Sequence, residues 1–154
     1  MPYEHVLTVY DGTMQSEEVL EMVCRIVRPH RARLSILIVK LIPLAEELPG
    51  YRSGADPQVD ELVKRAEKFA SSRKVNAATT VRYARALGPT VVSESRLHGT
   101  DLVALAVPDI EMLPSDRVWH TDLRTILRQA TCAVMLCRPG RGSGVRQGPG
   151  RGNS

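Results

Sequence analysis

One stretch of this chain sets a carboxylate, a permissive backbone and a hydroxyl side by side at the end of a hydrophobic run: Asp11-Gly12-Thr13. A carboxylate so placed can accept hydrogen bonds from ligand hydroxyls or amines, while glycine lets the backbone approach closely. The same residue types also make an ordinary turn and lead into a helix. Other chemistry-bearing residues are dispersed. His5, His30, His98 and His120 lie far apart, and no Gly-x-Ser-x-Gly, His-Glu-x-x-His or Cys-x-x-Cys pattern occurs, so neither a nucleophile elbow nor a zinc motif is indicated. Asp11-Gly12-Thr13-Met14 lacks the glycines of a dinucleotide loop, and no Walker A loop is present. A phosphoacceptor receiver would need paired acids near the first strand and a lysine after the last, whereas Asp11 stands alone and Arg138 follows Cys137. The chain is therefore read as a non-enzyme.

The elements that must position Asp11 follow from periodicity. Residues 4–10 carry Val6, Leu7 and Val9 and read as a buried strand. Ser16 is expected to cap a helix running to about Arg28, with Val19, Val23, Ile26 and Val27 on one face and Pro29 as its stop. The near-continuous apolar run 33–41 predicts a central strand covered on both faces. Residues 43–55 make a long loop with no period. Asp56-Pro57 starts a helix to about Lys74, residues 78–86 suit an edge strand, and Gly88-Pro89 opens a short helix that Gly99 ends. Residues 102–107 form a strand stopped by Pro108, and residues 108–119 show no pattern. Thr121 or Asp122 is expected to cap the next helix, and residues 133–137 give the last strand. Strict alternation predicts an α/β fold, a single doubly wound five-stranded parallel sheet with helices on both faces. In such sheets ligands sit beyond the carboxyl ends of the strands, near Asp11, Lys40, Leu87, Pro108 and Arg138.

Composition narrows the function classes. With 154 residues and 43% apolar content the chain supports one core, and 4% aromatic content argues against a stacking platform for single-stranded nucleic acid. The net charge of +4 resides in Arg138, Arg141, Arg146 and Arg151; without these four the 21 basic residues fall to 17, matching the 17 acidic ones. The domain is assigned to residues 1–138, and residues 139–154 form a Gly/Arg-rich tail expected to be disordered. That tail can contact RNA or an acidic surface electrostatically, or serve as a solvated end; nucleic-acid binding by the domain itself is not expected. No apolar run approaches the ~20 residues of a membrane helix, and a cytoplasmic location is expected. Cys24, Cys132 and Cys137 read as reduced thiols, since two cysteines ~16 Å apart along one extended segment cannot pair.

Three stretches together resemble the universal stress protein family. His5-Val6-Leu7-Thr8-Val9-Tyr10-Asp11-Gly12-Thr13 is similar to its opening strand ending in Asp-Gly-Ser or Asp-Gly-Thr. Gly88-Pro89 through Thr100-Asp101-Leu102-Val103 is similar to its turn into the third helix and the strand that follows, and the segment from Ile126 to Leu136 to its last helix and strand. The resemblance implies a fold of the adenine nucleotide alpha hydrolase type, dimerised through the last strand. In one branch it implies an adenosine site for which the matching residues here are Asp11, Gly12 and Val39, and a phosphate loop that reaches Val107 and Thr121. That branch holds phosphates on Gly-x2-Gly-x9-Gly-Ser/Thr. Here the last pair is His120-Thr121, and the earlier glycines fall at Val107 and Ile110, or at Ala106 and Asp109 with one insertion. Pro108 lacks an amide donor, and Asp109 and Glu111 add negative charge. Thr121 has two readings, helix cap or phosphate contact; His120 is a surface residue or an anion contact; Trp119 packs the loop onto the core or a partner. The expectation is a stress-response regulatory module acting by dimerisation and protein interaction through a degenerate nucleotide site, with no assured cofactor. The alternative is an ATP or AMP sensor using Asp11 and the loop 108–121.

Overall fold

A computed structural model describes residues 3–47, 56–108 and 117–138. Strand β1 (His5–Val9) leads through Asp11-Gly12 into helix α1 (Met14–His30), and β2 (Arg33–Leu41) follows. After the segment 48–55, which lies outside the described residues, come α2 (Pro57–Ser72), β3 (Ala77–Ala84), α3 (Leu87–Leu97), β4 (Leu102–Ala106), α4 (Arg117–Gln129) and β5 (Ala133–Cys137). All neighbouring strands are parallel in the order β3-β2-β1-β4-β5, with Val6 facing Leu34 on one side and Leu102 on the other. The doubly wound sheet is as the alternation predicts, and the interior place of β2 and the edge place of β3 are as their residue types predict.

Two cores cover the sheet because side chains alternate along each strand. Val6 and Tyr10 of the first strand segment join Val19, Leu20, Val23 and Val27 of α1 and Ala66 and Ala70 of α2 on one face. On the other face Leu7 meets Val91 and Val92 of α3 and Ile126 of α4. Consecutive helix pairs thus lie on opposite sides of the sheet.

Three sequence expectations are corrected. Thr13, not Ser16, caps α1: its Oγ1 accepts the Ser16 N–H at 3.2 Å, and Ser16 is buried inside the first turn. Pro29 lies within the last turn of α1, and the helix stops only when Arg31 takes a left-handed backbone with φ 54°. Thr121 and Asp122 cap nothing at α4, because that helix already begins at Arg117 and takes in Trp119 and His120. Smaller shifts occur at α2, which ends at Ser72, and at β3, which runs from Ala77 to Ala84. The segments 109–116 and 139–154, including the expected tail, lie outside the described residues.

Candidate functional site

Helix α1 leaves β1 toward one face and α4 follows β4 on the other, so the connections after these adjacent strands diverge. A crevice must open there, at the switch point where such sheets bind ligands. It holds a cavity of about 110 Å³. Its apolar lining comes from Val9 of β1, Leu105 and Ala106 of β4, Leu87 of α3, and Trp119, Leu123 and Ile126 of α4. Its polar groups are Asp11, Ser16 and Asp122, and no lysine or arginine lines it among the described residues.

Asp11 is exposed, and its Oδ1 accepts from the Thr13 N–H at 2.9 Å and the Thr13 hydroxyl at 2.6 Å. Ser16 Oγ accepts the Asp11 N–H at 3.3 Å and donates to the Thr13 carbonyl at 3.1 Å. The Asp-Gly-Thr turn therefore builds the helix start and lines the cavity at once. Gly12 faces away, toward α2. Its φ is 82°, and a Cβ there would stand 2.6 Å from Leu62 Cδ2. Arg65 donates to the Gly12 carbonyl at 3.3 Å and to Glu17 at 2.7 Å, and the Tyr10 hydroxyl donates to Glu17 at 2.8 Å. Burial, with the carboxylate of Glu17, pushes the Tyr10 phenol well above its usual value.

The remaining sequence candidates sit at the same carboxyl edge without lining the cavity. Val39 is half-buried and packs on the α3/α4 side. Val107 N–H donates to the Cys137 carbonyl at 2.8 Å, tying the end of β4 to β5. Thr121 is exposed on α4.

Asp122, expected from the sequence as a cap of its own helix, serves the start of another, a role that sequence reasoning missed. It is buried, and its Oδ1 accepts the Gly88 N–H at 2.7 Å. Helix α3 has Ala86 at its N-cap position with no side-chain cap. A helix start leaves N–H groups unpaired; Pro89 contributes none, and Asp122 satisfies Gly88 from the neighbouring helix. The two helices touch closely: a Cβ on Gly88 would stand 2.9 Å from the Asp122 carbonyl oxygen. The available signal was a helix start, Ala86-Leu87-Gly88-Pro89, with no polar cap of its own.

Chemically the cavity offers apolar walls, the Trp119 indole and carboxylate acceptors. Hydroxyl or amino donors and a flat ring fit this lining, whereas a phosphate would meet like charge without a counter-cation. No cluster of three or more histidine, cysteine or acidic side chains able to hold a metal occurs among the described residues.

Neither a protein-family model nor a curated protein sequence matches the chain. Solved structures do. A universal stress protein family structure from Burkholderia pseudomallei shares 19% identity and a TM-score of 0.65 over 88% of this chain and 96% of that one. The chain has the universal stress protein fold. A universal stress protein in complex with cAMP, at 14% identity and a TM-score of 0.65, covers 88% of this chain with 97% of its own. An Arabidopsis thaliana universal stress protein family structure with AMP bound, at 12% identity and a TM-score of 0.61, covers 89% of this chain with 92% of its own. Among the described residues no helix is long and apolar enough to cross a membrane.

Proposed function

We propose that the chain is a member of the universal stress protein family that acts as a non-catalytic, cytoplasmic regulatory module in stress response, working by self-association and protein interaction with an altered nucleotide site. The observation that carries this reading is the lining of the switch-point cavity. Asp11 and Asp122 supply negative charge, no cation faces them among the described residues, and Ala106-Val107-Pro108 stands where a glycine-rich phosphate cradle would begin. Strand β5 supports self-association. Its sequence Ala133-Val134-Met135-Leu136-Cys137 carries neither charge nor proline to deter edge pairing, and Leu136 is 41% exposed. Strand-to-strand pairing of two copies through β5 buries that side chain.

Calorimetry with Mg-ATP and AMP tests the altered site, with Asp11→Ala as control. No heat of binding below roughly 100 μM ligand, a threshold of about −5.5 kcal/mol, is expected. Saturable binding that Asp11→Ala abolishes overturns the reading. Sedimentation of the native chain and of Leu136→Asp tests association: the native chain is expected as a dimer and the variant as a monomer, and a native monomer at high concentration refutes the dimer.

A second reading, an ATP- or AMP-responsive sensor, rests on the bound cAMP and AMP in the similar structures and on Asp11 and Trp119 lining one cavity. The same titration separates the two.

A further inference from the structure

The opposite end of the sheet, where β1, β2 and β3 begin, carries a second group of polar side chains that the switch point does not use. Alternation along β1 turns His5 toward the same face as Leu7, and along β2 it turns Ser35 toward the same face as Leu37. Both are buried, at 5% and 6% exposure, and His5 Nε2 lies 2.7 Å from Ser35 Oγ. The other ring nitrogen, Nδ1, is buried without a hydrogen bond of normal geometry, although the His98 backbone is near enough to raise the pKa of the ring. A buried polar atom without a partner costs on the order of 1–3 kcal/mol and calls for an explanation.

This pair opens onto a cavity of about 260 Å³, larger than the one at the switch point. Arg33, Asn76 and His98 complete its polar lining, and Ala77 and Ala78 give it a short uncharged wall. Arg33 is exposed, and its guanidinium makes no hydrogen bond or ion pair among the described residues. No acid lines the cavity among the described residues. Glu4, beside Arg33, is exposed and accepts the Arg33 N–H through its backbone carbonyl at 2.9 Å, and two further acids are engaged elsewhere. Asp101 accepts the Glu4 and His5 N–H groups at 2.9 and 3.1 Å, and Glu94 accepts from Arg82 at 2.6 Å and meets His98 Nε2 at 3.1 Å. Burial lowers the His5 pKa and the Arg33 charge lowers it further, against the raising influence of the His98 backbone and of Asp101.

We propose that this cavity is a second ligand site, taking a small organic anion whose acidic group pairs with Arg33 and reaches the His5–Ser35 pair while its uncharged part rests on Ala77 and Ala78. A guanidinium without a partner is a strong single recognition element for a carboxylate or a phosphate monoester. Buried Ser35 and His5 supply the polar groups that select against a purely apolar occupant. The site lies at the amino ends of the strands and is independent of the nucleotide reading.

Amide NMR titration of the full chain with benzoate, phenyl phosphate and the uncharged benzamide tests it. Either anion is expected to give saturable shifts at His5, Ser35, Ala78 and His98 in the low-millimolar range. Loss of one charge-assisted hydrogen bond predicts about tenfold weaker binding for benzamide and for the anion on Arg33→Gln. The tighter of the two anions names the acid group. Shifts that never saturate, equal affinity for benzamide, or unchanged affinity in Arg33→Gln each overturn the proposal. Arg33 is exposed, so its variant keeps the fold, and an unchanged amide spectrum before titration verifies that.

Discussion

Removing the Asp122 side chain should loosen α3, although Asp122 belongs to α4. In Asp122→Ala the Gly88 N–H loses a 2.7 Å bond and stays buried against α4. A hydrogen bond to a charged group is worth about 1.5–3 kcal/mol, part of it the favourable placement of negative charge at a helix start. Asp122→Asn keeps an acceptor of the same shape but not its charge, and neutral bonds are roughly half as strong, so its cost is about 1 kcal/mol. With a urea slope of about 2 kcal/mol per molar, the alanine variant should unfold about 1 M earlier and the asparagine variant about 0.5 M earlier. Amide exchange gives the local readout: Gly88 protection should fall in the alanine variant more than that of Val103 in β4. A midpoint within 0.2 M of the native value at unchanged slope, or unaltered Gly88 protection, would refute the capping argument.

Other consequences can be checked alongside. Gly12→Ala forces an L side chain to φ 82° and into Leu62, and should destabilise by about 2–4 kcal/mol in the same urea assay; a change under 0.5 kcal/mol contradicts the packing of α2 on the turn. Burial pushes the Cys24 thiol up to about 11 and raises Cys132 and Cys137 as well, so exposure sets the order: a disulfide reagent at pH 8 should label half-buried Cys132 first and the other two only on unfolding. Equal rates for all three thiols would exclude this. His5 is held neutral in the folded chain by burial and Arg33, whereas the unfolded ring takes a proton below about pH 6.5. Its contribution is therefore present above that pH and lost as pH falls. The urea midpoint should drop between pH 7 and 5.5, less steeply in His5→Gln; parallel slopes would refute the assignment.

How far the fold was legible depended on where its determinants lay. Residues 33–41 are a near-continuous apolar run and residues 133–137 an uninterrupted one, and the two strands span those residues. Asp56-Pro57 carries its own start signal, and Asp56 Oδ1 does accept the Val59 N–H at 3.3 Å. The start of α4 was hidden, because Val118, Trp119, His120 and Thr121 are indifferent helix formers, and tertiary packing of Trp119 at the cavity overrides propensity there. Ser16 and Thr13 are both competent caps, and only the path of the chain after Gly12 decides between them. At the site, Asp11 could be found because it ends a strand. The role of Asp122 could not, since its partner is a backbone N–H 34 residues away, and such a group leaves no mark on the residue that bears it.

Gly88 bears on more than the cap. A methyl group on its Cα would strike the backbone of α4 at Asp122, not a flexible side-chain tip, so the neighbour could yield only by moving as a helix. Leu87 and Asp122, the immediate neighbours of that contact, both line the crevice. Exchanging hydrogen for methyl at position 88 would thus act as a wedge, prising α4 from α3 and widening the mouth of a chamber the residue never touches. The bore of the switch-point cavity is gauged by a side chain that is not there.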